Sequence, residues 1–306
     1  MARAFSLNDY LKVIGRSCDG DSCMPTLVRG QFHDVVLCDD VAYRFPRDEQ
    51  SRRQLPARMA LLEQLGQCEL PVAIPTPLST AALSRPLGRC YVALRRLPGQ
   101  PVDREDIVHR GAESAVIGDL AALLDQLSEL GTDESVGAVV PRADRHRWHK
   151  FADDVAAVLF PLMSDRGRHR AEAELNRVQD VDPAGSAVVH GDLGGANLLW
   201  SSDEAGPRLT GVLDWDGAEI GNQADDLASV AATFGWSLAR RLDAHRHAGD
   251  FPTMAAARAI AATFALQQAL PAALSGDASS LADGLASYHD PPLGSAGPGS
   301  PGRMRR

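Results

Sequence analysis

The spacing of hydrophobic and polar residues changes after Pro101. Before it, short apolar runs rich in β-branched and aromatic residues predict strands, and Asp39-Asp40 between the first two predicts a hairpin turn. Leucine and methionine residues then recur at three- and four-residue steps over residues 49–66, which predicts one helix. The predicted strands are residues 35–38, 41–45 and 90–94.

Beyond Pro101 most of the chain has helical spacing, and the apolar residues from Val116 to Leu130 form one stripe. Further helices are predicted at 151–163, 170–179 and within 224–288, with a strand pair near 208–216. The pattern predicts an α+β protein of two lobes joined by a short hinge. The predicted domains are a sheet with one helix at 1–97, a mainly helical lobe at 98–290, and a disordered Pro-, Gly- and Ser-rich tail at 291–306.

Composition narrows the class of protein. The chain has 306 residues, 44% of them hydrophobic, and a net charge of −9, which fits a soluble protein with a sizeable core. The acidic balance argues against nucleic acid as a partner, and no segment has the pattern of a signal peptide or a membrane span. Five cysteines without C-x-x-C spacing predict reduced thiols and a cytoplasmic protein. The sequence leaves a monomer and a dimer open.

The segment SAVVHGDLGGANLLW at 186–200 carries the most specific chemistry. Two apolar runs flank His190, Asp192 and Asn197, and the spacing D-x-x-x-x-N after a histidine is that of a kinase catalytic loop. In such a loop the aspartate accepts the proton of the substrate hydroxyl and the asparagine binds Mg²⁺. Asp192 is therefore the candidate catalytic base, although Asp and Asn also favour caps and turns.

A second motif, GVLDWDGAEIG at 211–221, places Asp214 at the end of a predicted strand. Mg²⁺ is commonly held by one or two protein oxygens together with phosphate oxygens. Asn197 and Asp214 are the candidate metal ligands. Asp214-Trp215-Asp216 also spells D-x-D, which binds metal in nucleotide-sugar glycosyltransferases, but that alternative leaves the upstream loop unexplained.

The two motifs together resemble the aminoglycoside phosphotransferase family, small-molecule kinases with a protein-kinase-like fold. The resemblance rests on HGDLGGANLLW at 190–200 and VLDWDGAEIGNQADDLA at 212–228. It implies a bilobal fold with a small mixed β-sheet in the N-terminal lobe and a larger, mainly helical C-terminal lobe. His190 is then expected to brace the loop, or to be an ordinary core histidine, and Asp226 to accept hydrogen bonds from catalytic-loop amides. Asn222-Gln223 stands where the family usually has Asp-Pro, which changes the expected shape of that loop.

Kinases bind nucleotide phosphates with a strand lysine that pairs with a helix glutamate. The predicted strand at 41–45 contains no lysine, so Arg44 is the candidate, with Arg47 as the alternative. Arginine keeps its charge and can bind phosphate in a fork. Glu63 and Glu49 are the acidic residues of the following helix that could pair with it.

The rest of the nucleotide site is signalled weakly. Gly30 precedes the first predicted strand and is the one candidate for a phosphate-binding turn. The resemblance places the nucleotide base beside the backbone of residues 94–97, with Arg95 and Leu97 as contacts. The implied co-substrate is ATP or GTP, with Mg²⁺ as the cofactor.

The resemblance implies transfer of the γ-phosphate to a hydroxyl of a cationic antibiotic. The acceptor is expected to be a basic cyclic peptide such as viomycin or capreomycin, because stretches such as GQFHDVV at 30–36 and TFALQQAL at 263–270 resemble family members of that kind, or an aminoglycoside. Asp216, Glu219 and Asp225 are candidates for binding this cation, although such acidic residues are often simply solvated. Two alternatives remain: a metabolic kinase acting on an amino alcohol or sugar, and a nucleotide-binding pseudokinase without turnover.

Overall fold

The computed structural model describes residues 5–15, 24–30, 32–80, 82–203, 206–247 and 252–289. The predicted tail at 291–306, and Cys18 and Cys23, lie outside the described residues. The chain divides into two compact units, Met1–Asp144 with Pro183–Ala257 and Arg145–Asp182 with Arg258–Arg306. The predicted boundary between residues 97 and 98 falls inside the first unit, which contains both the N-terminal sheet and the two sequence motifs.

The first unit begins with helix α1 (Leu7–Ile14) and a sheet of five strands in the order β1-β2-β3-β5-β4. The strands are β1 (Thr26–Arg29), β2 (His33–Cys38), β3 (Val41–Pro46), β4 (Pro77–Ser79) and β5 (Val92–Arg95). The predicted hairpin is confirmed, with Cys38 opposite Val41 and Asp39 in the left-handed region at φ 52°. Every pairing is antiparallel rather than mixed. Short connections join β1 to β2 and β2 to β3, as antiparallel neighbours allow, whereas α2 and β4 lie between β3 and β5 in the sequence.

Two strands of this sheet were not predicted, and both lie at its edges. Strand β4 lies in the proline-rich connection, where Pro77 is tolerated because an edge strand leaves some backbone amides unpaired. The predicted helix forms as α2 (Glu49–Leu65), and the side chain of Asp48 accepts a hydrogen bond from the amide of Ser51 at its start. One face of α2, including Leu55, is buried.

The other elements described in the first unit are helices, short turns and two small antiparallel strand pairs. The helices are α3 (Arg104–His109), α4 (Glu113–Leu130), α5 (Glu134–Gly137), α8 (Ala224–Phe234) and α9 (Trp236–His247). The strands are β6 (Ala187–Val189), β7 (Leu198–Asp203), β8 (Gly206–Val212) and β9 (Glu219–Gly221). Strand β6 pairs with β9 and β7 with β8, so both sequence motifs lie in connections between these strands. The predicted stripe of α4 is its buried face.

The second unit is built from α6 (Arg147–Val158), α7 (Asp165–Gln179), α11 (Phe264–Ser275) and α12 (Ala278–Leu285). Helix α10 (Pro252–Ala262) contains the boundary between the units. The last described turn, Ala286–Tyr288, places Tyr288 fully inside this unit's core. Its hydroxyl donates to the buried carboxylate of Glu174. Burial, and then this hydrogen bond, raise the pKa of the phenol.

Among the described residues, no helix combines the length and the apolar character that crossing a membrane requires. The protein-kinase-like organisation expected from the sequence is present: a small sheet region at the N-terminus, followed by a mainly helical region.

Candidate active site

The catalytic loop connects β6 to β7. Strand β6 ends in buried Val189, and the chain then turns at Gly191, whose φ of 85° is one that residues with a Cβ rarely adopt. A Cβ at Gly191 would also lie 3.0 Å from the carbonyl oxygen of Gly217. The turn exposes Asp192, and the Nδ2 of Asn197 donates to both the backbone oxygen and the Oδ2 of Asp192, each at 2.9 Å. The predicted base and the predicted metal ligand are therefore in direct contact.

His190 joins the two motifs from inside the protein. It is fully buried; its Nε2 donates to the carbonyl oxygen of Leu213 at 2.7 Å, and its Nδ1 accepts from the amide of Asp192 at 3.2 Å. Burial lowers the pKa of the imidazole below its ordinary value, so the ring is neutral with its proton on Nε2. Its ring and that of Trp215 form a T-shaped pair with their centroids 4.8 Å apart. This geometry suits a structural role in the loop.

Helix α8 supports the catalytic loop from below. The carboxylate of Asp226 accepts from the amides of His190 at 3.0 Å and Gly191 at 2.9 Å. Burial raises the pKa of Asp226 to about 7, while the two amide donors act in the opposite direction. Thr233, two turns further along the helix, accepts from the amide of Gly195 at 2.9 Å. Thr233 is not among the residues predicted from the sequence, although its seven-residue spacing from Asp226 on one helix is the available signal.

Asp214 lies two residues after the end of β8 and has a left-handed backbone conformation with φ of 54°, which is uncommon for a non-glycine residue. The preceding amide, that of Leu213, donates to the carbonyl oxygen of Asn197 at 2.8 Å, so the second motif is held against the first. Asp192, Asn197 and Asp214 all line one cavity of about 570 Å³. The three oxygen-bearing side chains that the sequence singled out are thus brought together.

The same cavity extends to the N-terminal sheet. Of the residues predicted to bind nucleotide, Gly30, Arg44, Arg95 and Leu97 line it. Arg47 does not line this cavity. Its guanidinium donates to the carbonyl oxygen of Gly30 at 2.6 Å, and its backbone amide donates to the carbonyl oxygen of Phe32 at 2.9 Å. Arg47 therefore holds the turn between β1 and β2 from outside the cavity.

Arg44 is paired with Asp216, which was predicted from the sequence to bind the cationic substrate. Its Nη1 donates to Oδ1 of Asp216 at 2.8 Å and its Nη2 to Oδ2, which makes a fork. Its Nη2 also contacts Asp214 Oδ1 at 3.2 Å and the Nδ1 of His33 at 3.0 Å. Glu49, one of the two expected partners, pairs instead with Arg52 at 2.8 Å.

Burial lowers the pKa values of both basic groups at this point. For Arg44 the burial of the guanidinium is the main cause. For His33, burial and then the charges of Arg44 and Arg58 lower the pKa to about 3. His33 is therefore neutral, and its Nδ1 accepts the hydrogen bond from Arg44.

None of the three residues predicted to bind a cationic substrate lines the cavity. Asp216 is engaged with arginines, Asp225 is buried in the first turn of α8, and Glu219 is half-buried in β9. Their assignment to substrate binding stays a prediction.

The departure from Asp-Pro at residues 222–223 has a local explanation. The Oδ1 of Asn222 accepts from the amide of Ala224 at 3.0 Å, a local turn contact before α8 that an aspartate could also make. The Nε2 of Gln223 donates to the carbonyl oxygen of Leu124 at 2.7 Å, and its Oε1 accepts from Arg246 at 2.9 Å. Gln223 thus holds the start of α8 against α4 and α9.

The chemistry of the donors suits a hard divalent cation. Asp214 supplies a carboxylate and Asn197 an amide oxygen, and Mg²⁺ prefers such ligands with phosphate or water completing its shell. The described part of the chain contains no group of three or more His, Cys, Asp or Glu residues arranged to hold a metal. A cation here would therefore take the rest of its ligands from a bound nucleotide or from water.

Comparison with known proteins decides the family. The model of the phosphotransferase enzyme family matches residues 29–260. The chain is 40% identical over 283 residues to viomycin phosphotransferase of Streptomyces vinaceus, covering 92% of this chain and 99% of that protein.

The chain belongs to the phosphotransferase enzyme family.

Solved structures agree on the fold. The GDP complex of wild-type aminoglycoside 2'-phosphotransferase-IIIa superposes with a TM-score of 0.78 at 20% identity, covering 92% of this chain and 97% of that one. The GDP and kanamycin complex of APH(2")-IIIa gives a TM-score of 0.76 with the same identity and coverage. As a member of the phosphotransferase enzyme family, the protein is a small-molecule kinase that uses a nucleotide, and the predicted kinase-like fold is confirmed.

Proposed function

We propose that this phosphotransferase transfers the γ-phosphoryl group of ATP or GTP to a hydroxyl of a cationic antibiotic. The preferred acceptor is a basic cyclic peptide such as viomycin or capreomycin, and an aminoglycoside is the second choice. The observation that carries the proposal is the convergence of Asp192, Asn197 and Asp214 with Arg44 on one cavity. Identity of 40% to viomycin phosphotransferase favours the peptide over other acceptors.

In the proposed reaction, Asp192 orients the acceptor hydroxyl and takes its proton as the oxygen attacks the γ-phosphorus. The bond between that phosphorus and the β–γ bridging oxygen breaks, and the nucleoside diphosphate leaves with the bridging oxygen. Its exposed carboxylate is held by the Nδ2 of Asn197, which fixes the direction of the accepting oxygen. Asp214 and Asn197 would hold Mg²⁺, which supplies neutralisation of phosphate charge when bound. Arg44 supplies a fixed positive charge toward the nucleotide phosphates.

The acidic character of the protein supports a cationic acceptor. The net charge is −9, so a basic peptide or an aminoglycoside is attracted over a long range at low ionic strength. Glu219 and Asp225 remain the predicted contacts of the cationic groups. The need for a nucleoside triphosphate agrees with the cytoplasmic location that the cysteine usage predicts.

Mass spectrometry of candidate acceptors tests the proposal. Viomycin, capreomycin, kanamycin, an amino alcohol and a sugar are incubated with the protein, Mg²⁺ and either ATP or GTP. Gain of one phosphate on a cyclic peptide or on kanamycin, absent with Asp192→Asn, is the expected result. Phosphorylation of the metabolites alone indicates a metabolic kinase, and nucleotide binding without any product indicates a pseudokinase; either outcome contradicts the proposal.

A further inference from the structure

Asp216 lies between two arginines that come from different elements. Arg44 of β3 holds it in a fork, and Nη1 of Arg58, on α2, lies 2.5 Å from its Oδ2. Asp216 belongs to the short turn Trp215–Gly217 that follows Asp214. The side chains of the three residues are 13%, 21% and 20% exposed for Arg44, Arg58 and Asp216, so solvent screens these ion pairs only in part.

The Nη2 of Arg44 has more hydrogen-bond acceptors within reach than it has hydrogens to donate. Nη2 carries two hydrogens, but Asp216 Oδ2, His33 Nδ1 and Asp214 Oδ1 all lie within reach. The contact with Asp214 is the longest of the three, at 3.2 Å. Arg44 can therefore release Asp214 to a divalent cation and remain fully held by Asp216 and His33.

The net charge of this arrangement also differs from that of the usual kinase pair. A lysine paired with a glutamate has no net charge. Arg44 and Arg58 carry two positive charges and Asp216 carries one negative charge, because His33 between them is neutral. Once Asp214 is assigned to a cation, one net positive charge remains beside the cavity. The sequence predicted that the partner of Arg44 would be an acidic residue on the helix. The acidic partner is instead Asp216 of the metal-binding motif, and the helix supplies the basic residue Arg58.

We propose that Asp216 and Arg58 are positioning residues of the nucleotide site. Asp216 fixes the Arg44 guanidinium in the direction of the phosphates, and Arg58 restores the positive charge that Asp216 would otherwise cancel. This inference rests on the proposed function, because it assigns the phosphates of the nucleotide to this end of the cavity. It also removes Asp216 from the candidates for direct contact with the acceptor.

Calorimetric titration of ADP or GDP in the presence of Mg²⁺ tests the charge argument without any acceptor. Arg58→Gln is expected to weaken nucleoside diphosphate binding about 3- to 10-fold, and Arg58→Lys to stay within about 2-fold of wild type. The double variant Asp216→Asn with Arg58→Gln has the wild-type net charge and is expected to bind better than Arg58→Gln alone. Arg52→Gln, on the same helix and paired with Glu49, is the matched control and is expected to bind like wild type.

Steady-state kinetics distinguish the positioning role of Asp216 from the effect of charge on nucleotide binding. With the acceptor found in the phosphate-gain assay, Asp216→Asn is expected to lower kcat at least about 10-fold at saturating nucleotide without raising the KM of the acceptor. A diphosphate affinity of Arg58→Gln equal to wild type, or no recovery in the double variant, overturns the inference. An unchanged kcat or a raised acceptor KM in Asp216→Asn also overturns it. If Asp216→Asn fails to fold, the comparison of Arg58→Gln with Arg58→Lys still decides; failure of the wild type to bind nucleotide would instead contradict the proposed function.

Discussion

The Nε2 of His190 donates a 2.7 Å hydrogen bond to the carbonyl oxygen of Leu213, the residue immediately before Asp214. A buried, neutral ring thus sets the distance between the catalytic loop and the metal-binding motif. Because the other ring nitrogen accepts from the amide of Asp192, the imidazole holds both sides of the site at once.

His190→Ala is expected to lower the free energy of unfolding by about 2–4 kcal/mol, because it leaves a cavity and takes the hydrogen-bond partner from two partly buried backbone groups. It should also lower kcat, since the two motifs lose their link. Urea denaturation and steady-state kinetics measure the two effects. His109→Ala, at an exposed position on α3, is the control and should change stability by less than about 0.5 kcal/mol. Wild-type stability in His190→Ala would contradict the bracing role.

Asp192→Asn is expected to reduce kcat at least about 100-fold, because the amide keeps the shape of the side chain but cannot take the hydroxyl proton. The melting temperature and the affinity for nucleotide should stay near their wild-type values, since Asn can still accept from Asn197. Activity within a few fold of wild type would show that Asp192 is not the base.

Asp214→Asn is expected to remove most of the Mg²⁺ dependence of nucleotide binding, because it replaces the one charged ligand of the proposed pair. Calorimetry of ADP with and without Mg²⁺ measures this, and the affinity gained on adding Mg²⁺ should fall at least about 10-fold. Asp40→Asn, in the exposed hairpin turn, is the control: it removes the same charge and should keep the wild-type gain in affinity on adding Mg²⁺. The same gain on adding Mg²⁺ in Asp214→Asn and wild type would exclude Asp214 as a ligand.

The stability of the protein should depend on pH through His33. Burial and two neighbouring arginines lower its folded-state pKa to about 3, so the unfolded chain takes up a proton first as the pH falls below about 6.5. The free energy of unfolding should then decrease by about 2 kcal/mol between pH 7 and pH 5 from this group alone. Urea denaturation of wild type and His33→Asn over this range should give the steeper decline for wild type. Parallel curves would show that His33 is not held neutral.

The chemistry of the site could be predicted from the sequence because its parts lie in two short motifs. The spacing from Asp192 to Asn197 and the strand before Asp214 are local, and short strands pairing around them bring them together. The antiparallel hairpin of β2 and β3 and the buried stripe of α4 followed from the same local periodicity.

The partner of Arg44 could not be predicted in this way. Arg44 and Asp216 are 172 residues apart in the chain, and their pairing depends on where the N-terminal sheet lies against the metal-binding motif. Sequence proximity points to Glu49 and Glu63 as partners of Arg44, because both lie on the helix that follows its strand. Thr233 was missed for a related reason: its seven-residue spacing from Asp226 places it on the same side of α8, but only the folded loop shows that this side meets the amide of Gly195.

The burial of Tyr288 limits where the polypeptide can be shortened or fused. Its backbone oxygen accepts from the amide of Ser164 at 3.2 Å, and its backbone packs so closely on Gly167 that a Cβ there would lie 1.8 Å from that oxygen. A stop codon before position 288 would therefore open the core of the second unit, and an affinity tag joined there would have no room. Cloning designs that keep the reading frame intact through residue 289 avoid this damage.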